Sequence, residues 1–204
     1  MNIADATNEL HRCFDLLNKR YFNGELATPA LTIQSAGKRQ AYGWCSLVPF
    51  WDGDEQKFEI NMSAEHLKRD KYELMRTLLH EMVHLHNSMI GVQDVSRGGT
   101  YHNKRFKEAC ERDGMFFYEI TEPDKKIGWS QAVLTDETKV FVDTMEVRQE
   151  AFGIYRAVPV GGKAGKKKSN SFKLECPTCG LKVRASKPGV KVRCSDCDEE
   201  LIEN

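Results

Sequence analysis

The chain has no net charge. Its 30 lysines and arginines are matched by 30 aspartates and glutamates, so overall charge predicts no polyanionic partner. No apolar run approaches the roughly 20 residues of a membrane span, and the N-terminus lacks the basic stretch followed by an apolar block that marks an export signal. These absences predict a soluble, cytoplasmic protein with no membrane partner. A balanced set of cysteines is missing too. Of the seven, four fall into two Cys-x-x-Cys pairs while Cys13, Cys45 and Cys110 are scattered, which disfavours a disulfide framework and favours metal thiolates in a reducing compartment. With 204 residues, 40% of them hydrophobic, there is material for one ordinary core plus a small appendage, not for two large domains.

The chemistry is concentrated between Leu78 and His86, LLHEMVHLH. On a helix advancing about 100° per residue, His80 and His84 project roughly 40° apart toward one point, with Glu81 beside them. Two neutral nitrogen ligands and a carboxylate able to take a proton from water are what zinc-assisted hydrolysis asks of one turn of helix. Chance would place His-Glu-x-x-His in only about one or two of a hundred chains of this composition. The plain alternative is an amphipathic core helix with histidines on its wet side. Met75, Leu78, Leu79, Met82, His86 and Met89 form an apolar stripe on the opposite face. Asp70 and Glu73 read as an N-cap with its capping-box acid and Gly91 as the stop, bounding a helix of about twenty residues.

A catalytic zinc usually takes three protein ligands and keeps one position open. His86 lies two residues past His84 and points about 200° away, into the apolar stripe, where a hydrogen-bonded structural role suits it better. The metzincin spacing would need Gly and His where Asn87 and Ile90 stand. Glu108 and Glu111 on the next helix remain as candidates, as does His102 at the head of that helix, and His102 is favoured.

LLHEMVHLHN, a glycine-containing loop of about fifteen residues, then a His and a Phe four residues later opening a helix, together resemble the SprT-like family, which includes the Spartan protease. Tyr101 and Asn103 stand where the family commonly has glycines around that later histidine. The resemblance runs from about Ala4 through Gly114. It implies that His80, His84 and His102 bind a catalytic zinc, that Glu81 is the catalytic acid/base, and that the substrates are proteins bound or crosslinked to DNA. A zinc ribbon near the C-terminus is a frequent companion in bacterial members.

Around this motif the chain reads as an α+β, zincin-like minimal metalloprotease core over 1–160. Ile3 to Phe22 has helical apolar spacing closed by Asn23-Gly24, and Ala30–Gln34, Ala41–Val48 and Lys57–Asn61 read as strands. In zincins an edge strand above the metal helix binds substrate backbone, a role open here to Tyr42–Leu47 or Phe58–Asn61. Tyr42, Trp44, Phe50 and Trp51 either fill a core or stack on substrate side chains or unpaired bases. Met115–Ile120 and Lys139–Asp143 read as strands, and Tyr118 or Tyr155 is available to stabilise an oxyanion.

From Gly161 onward ten basic residues stand against six acidic ones, a surplus of +4 that leaves −4 for the first 160. Residues 161–171 form a flexible basic linker carrying Lys163, Lys166, Lys167 and Lys168. In 172–204, Cys176, Cys179, Cys194 and Cys197, with fourteen residues between the pairs, predict a four-thiolate zinc ribbon whose metal is structural. The linker lysines, with Lys182, Arg184, Lys191 and Arg193, are candidate contacts to nucleic-acid phosphates. The expected protein is a monomeric zinc metalloendopeptidase with two Zn2+ per chain, acting on DNA-associated proteins and binding DNA, single strands included, at the nucleoid in a bacterium or in the nucleus of a eukaryote. The alternative is a non-catalytic, nucleic-acid-associated zinc adaptor in transcription or repair, although an intact Glu81 has no purpose in a merely structural site.

Overall fold

The computed structural model describes residues 2–36, 41–157 and 171–203. The chain divides into two compact units, Met1–Val158 and Pro159–Asn204. Among the described residues the fold is mixed α+β, with four α-helices and small sheets.

Helix α1, Ile3–Tyr21, starts at a reciprocal cap: the Asn2 side chain accepts from Asp5 N–H and the Asp5 carboxylate accepts from Asn2 N–H. Ala6, Leu10, Cys13, Phe14, Leu17 and Tyr21 recur at helical spacing and are all buried. The helix stops where Asn23 and Gly24 take positive φ, and the Asn18 carboxamide closes the turn on the Leu26 backbone.

Three strands follow: β1 (Ala30–Gln34), β2 (Gly43–Cys45) and β3 (Glu59–Ser63). Their order is β1-β3-β2, with β1 parallel and β2 antiparallel to β3. The central strand is buried at all five residues. Ile60 and Met62 join the core below the sheet, whereas Glu59 on the opposite face accepts hydrogen bonds from Thr32 Oγ1, Gln34 Nε2 and the Trp51 indole. Since β3 has neighbours on both sides, Phe58–Asn61 is excluded as the open edge. That edge is β2, shorter than the predicted Ala41–Val48. Tyr42, Phe50 and Trp51 are each about half exposed, so the core reading fails for them. The indole of Trp51 is pinned by Glu59 at its rim while its ring meets solvent.

Helix α2, Lys71–Met89, is the spine of the larger unit. Asp70 caps it by accepting from the N–H groups of Tyr72 and Glu73, but the Glu73 carboxylate turns to Arg76 at 3.2 Å and completes no capping box. Gly91, with φ +71°, ends the helix as expected. Burial is not confined to one stripe. Met75, Leu78, Leu79 and Met82 are fully enclosed, but so are Leu74 and Leu85, and Glu81, His84 and Asn87 are buried with them. Met89, at the frayed end of the predicted stripe, is instead exposed.

Beyond α2, strands β4 (Val95–Ser96) and β5 (Tyr101–His102) form a two-residue ladder that leads into α3, Lys104–Glu111. Asn103 caps α3 by accepting from Arg105 N–H at 2.8 Å, a side-chain hydrogen bond that a glycine at this position would not make. Strands β6 (Phe116–Phe117) and β7 (Val133–Leu134) pair antiparallel. The expected strand at Lys139–Asp143 is instead the body of α4, Asp136–Thr144. β-Branched residues suggested a strand there, but Thr135 caps the segment on Thr138 N–H, two acids follow in the first turn, and Thr138 and Val142 bury one face at i, i+4 spacing.

A charged latch returns the chain to α1. The fully buried Glu9 carboxylate receives Arg12 and Arg148 side chains at 2.6 Å each, together with the Arg148 N–H. Burial pushes this carboxyl up, but the arginine hydrogen bonds outweigh it and hold the group at about 2.

The smaller unit is a three-stranded antiparallel sheet, β10-β8-β9, of β8 (Phe172–Glu175), β9 (Lys182–Ala185) and β10 (Ile202–Glu203). Among the described residues its buried core is Leu174, Leu201, Cys176 and Cys194, with Val183, Ala185, Val192 and Cys197 partly buried against them. Among the described residues no helix is long and apolar enough to cross a membrane.

Candidate metal centre

The His80, His84 and His102 side chains come together although His102 belongs to β5, eighteen residues after His84. Their ring nitrogens lie within 4.8 Å of one another, and Nε2 of His102 is 3.1 Å from Nε2 of both His80 and His84. Nitrogens bound about 2.05 Å from a tetrahedral ion stand about 3.3 Å apart, so the cluster has the size of a zinc site. Burial, reinforced by the neighbouring imidazoles, pushes His80 well below the ordinary histidine range and His102 down to about 4. Both are neutral, as metal ligands must be.

The outer nitrogens fix which atom faces the centre. His84 Nδ1 lies 2.7 Å from Asp94 Oδ2 and His102 Nδ1 3.2 Å from the Ile127 carbonyl. Acceptors at both Nδ1 atoms place the ring proton there and turn the Nε2 lone pairs inward. Lone pairs converging at 3.1 Å with no proton between them are a fit for a cation. Asp94 is buried and also receives Asn87 Nδ2 at 2.9 Å. The sequence reading missed both residues, since no local pattern sets either apart before the fold brings Asp94 to His84.

The loop around His102 is clamped. His102 N–H donates to Ile127 O, Trp129 N–H donates to His102 O, and Asn103 N–H donates to Asp94 O. Gly128 makes this approach possible, since a Cβ there would lie 2.0 Å from His102 O. Tyr118 donates its hydroxyl to Trp129 O and so braces the same loop, while Tyr155 is exposed with the Lys68 ammonium over its ring. Beneath the cluster, the enclosed Phe106 ring lies 4.6, 4.5 and 4.7 Å from the rings of His80, His84 and His102. It seals one side of the centre with an apolar floor.

Glu81 lies in the same helical turn, facing β2. Burial pushes its carboxyl up to about 7, with Asp94 adding to the rise and His84 and the Cys45 N–H opposing it. A cation among the histidines draws it back toward the ionised form needed of a base. Gly43 lets β2 lie flush on α2: a Cβ at that position would meet Thr77 Cγ2 at 2.9 Å and Glu81 Oε1 at 3.3 Å. The other third-ligand candidates face elsewhere. Glu108 pairs with Lys104 and Glu111 with Lys107, both exposed, and His86 packs on Phe22 beside Arg112, half-buried and away from the cluster.

A SprT-like family model matches residues 10–134, which contain the whole centre. The chain belongs to the SprT-like family. Membership together with the three-histidine cluster marks this SprT-like protein as a metallopeptidase of the zinc type. No curated protein and no solved structure gives a significant match.

The second candidate metal site of this SprT-like chain is Cys176, Cys179, Cys194 and Cys197, whose sulfurs also lie within 4.8 Å of one another. Cys179 Sγ and Cys194 Sγ are 3.6 Å apart, against about 3.8 Å for thiolates bound 2.3 Å from a tetrahedral zinc. The two pairs sit on matching turns. Cys176 O accepts from Gly180 N–H and Cys194 O from Asp198 N–H, and both donor residues, each following the second cysteine of its pair, have positive φ. The Cys179 and Thr178 N–H groups lower the Cys176 thiol to about 7, favouring the thiolate. This cluster is consistent with a zinc ribbon.

Of the predicted phosphate contacts, Lys163, Lys166, Lys167 and Lys168 lie outside the described residues, as does 161–170 of the linker. In the ribbon, Lys182 stands 3.7 Å from Glu175, Lys191 4.0 Å from Glu200 and Arg193 2.9 Å from Asp198, while Arg184 reaches Ser171 Oγ. These exposed pairs are weak, so a phosphate can displace them at small cost.

Proposed function

We propose that the protein is a zinc metalloendopeptidase that cuts proteins bound or crosslinked to DNA, with the first unit as its catalytic domain and the four-cysteine unit as a DNA-binding ribbon on a basic linker. The observation that carries the hydrolytic reading is the convergence of three inward-facing Nε2 atoms beside a buried carboxylate, beneath an open strand edge. His80, His84 and His102 hold the ion. When bound, zinc supplies the positive charge that polarises the scissile carbonyl and makes water a better nucleophile.

Glu81 takes the proton from the attacking water and delivers it to the leaving amine. Tyr42 O and the Ser46 N–H are spent on β3, so by the two-residue period the backbone groups of Gly43 and Cys45 point away from it, with the Cys45 N–H engaged by Glu81 and the Gly43 groups and Cys45 O facing the free edge. Substrate adds there as an extended strand, held through its main chain and hence with broad sequence tolerance. The DNA-linked substrate class rests on the family resemblance and on the basic surplus from Gly161 onward. Incubating zinc-loaded protein with a DNA–protein crosslink and with the same protein free of DNA tests it. Faster cleavage of the crosslinked form is expected, and equal rates on the two overturn the DNA-linked reading while leaving the peptidase standing.

A further inference from the structure

A cavity of ≈ 300 Å³ opens where the chain leaves β2 on one side and α2 on the other. Leu47, Ser88, Val92 and Val95 line it, with Gly91 to Asp94 forming the turn between. Asp94 ties this cavity to the metal centre, because the same residue that walls it holds His84 at 2.7 Å. Its Oδ2 is already engaged by His84 and Asn87 and the residue is 1% exposed, so the wall presents little charge to an occupant. No lysine or arginine lines it. The volume falls at the small end of ligand pockets, roughly 300–1,000 Å³, which suits one large side chain better than a cofactor. Apolar surface continues past the rim: Leu47, Val48 and Ile90 are each about half exposed.

A strand laid along the free edge at Gly43 and Cys45 runs past Leu47, two residues beyond β2. We propose that the cavity receives one large apolar side chain of the substrate, at a fixed position relative to the cut bond. The inference rests on the peptidase reading above. It gives the enzyme a preference for leucine, methionine or phenylalanine, residues that folded proteins bury and unfolded ones present. A pocket of this kind discriminates by on the order of tenfold between a large apolar side chain and alanine.

The test digests a mixture of denatured peptides with the zinc-loaded full-length chain, and with Leu47→Ser and Val92→Trp, and sequences the cut ends. Leu47 is a surface position, so its variant guards against misfolding, and retention of both zinc ions, the histidine-bound one included, shows that each variant is folded. The parent should enrich Leu, Met or Phe over Ala about tenfold at a single position, and in both variants that ratio should fall below about threefold. A flat parent profile, or a ratio unchanged in both variants, overturns the pocket while leaving proteolysis in place. A zinc-loaded parent that cuts nothing overturns the peptidase reading and this inference with it.

Discussion

The two candidate metal sites sit on opposite kinds of scaffold. The histidine centre is laid onto a fold that already has a core: Leu10, Phe14, Leu17, Ile60, Met62 and the apolar residues of α2 from Leu74 to Leu85 are enclosed without help from a metal ligand. The cysteine site has little core behind it: among the described residues, Leu174 and Leu201 are buried there besides two of the cysteines themselves. In the first unit the fold positions the metal; in the second the metal substitutes for the core. Chemistry differs accordingly, since three ligands leave a coordination position open for substrate and four thiolates close it.

The sharpest way to break this contrast is to remove the metal. Structural zinc contributes on the order of 10 kcal/mol to folding of such small units. Chelation should therefore unfold the ribbon while the first unit stays folded, as followed by residue-resolved NMR. If both units unfold, or neither does, the contrast is wrong.

A smaller effect separates the fold of the first unit from its metal. Glu9→Gln should cost about 2–3 kcal/mol in denaturant unfolding, because Arg12 and Arg148 lose a charged, buried partner but stay partly hydrated. Zinc content should not change. The sign of the pH dependence follows from the lowered pKa. Glu9 releases its proton more readily folded than unfolded, so its stabilisation is full above about 4.5 and lost as pH falls toward about 2. Unfolding midpoints measured across that window should slope steeply in the parent and less in the variant.

Much of this was legible in the sequence where the signal is local. Strand β1 occupies the predicted residues, α1 and α2 differ from expectation by a residue or so, and the Cys-x-x-Cys pairs announce their own cluster. The misses arise where long-range packing decides. Lys139–Asp143 has strand-like composition, and the cap at Thr135, the two acids after it and burial of Thr138 and Val142 against the core make it a helix. The edge role of β2 depends on strand order, which no local pattern encodes. Asp94 belongs to the centre through a fold-dependent approach to His84, and Gly128 through its contact with His102 O, so neither stands out in the chain itself.

Asp94 supplies the smallest of the effects. Asp94→Asn should keep the fold and the ribbon zinc while weakening zinc at the histidine site about 10- to 100-fold, because His84 loses the acceptor that fixes its tautomer. Competition with a zinc indicator measures this, and an unchanged affinity would make Asp94 a merely structural residue.

The most direct test of the central claim combines metal content with turnover in Glu81→Gln. Purified parent should carry two zinc ions per chain and cleave an unfolded protein. The variant should carry the same two, keep the fold, and lose on the order of a hundredfold or more in rate. A variant that retains both metals and cleaves at the parent rate would contradict the assignment of Glu81, and with it the histidine centre as the seat of catalysis.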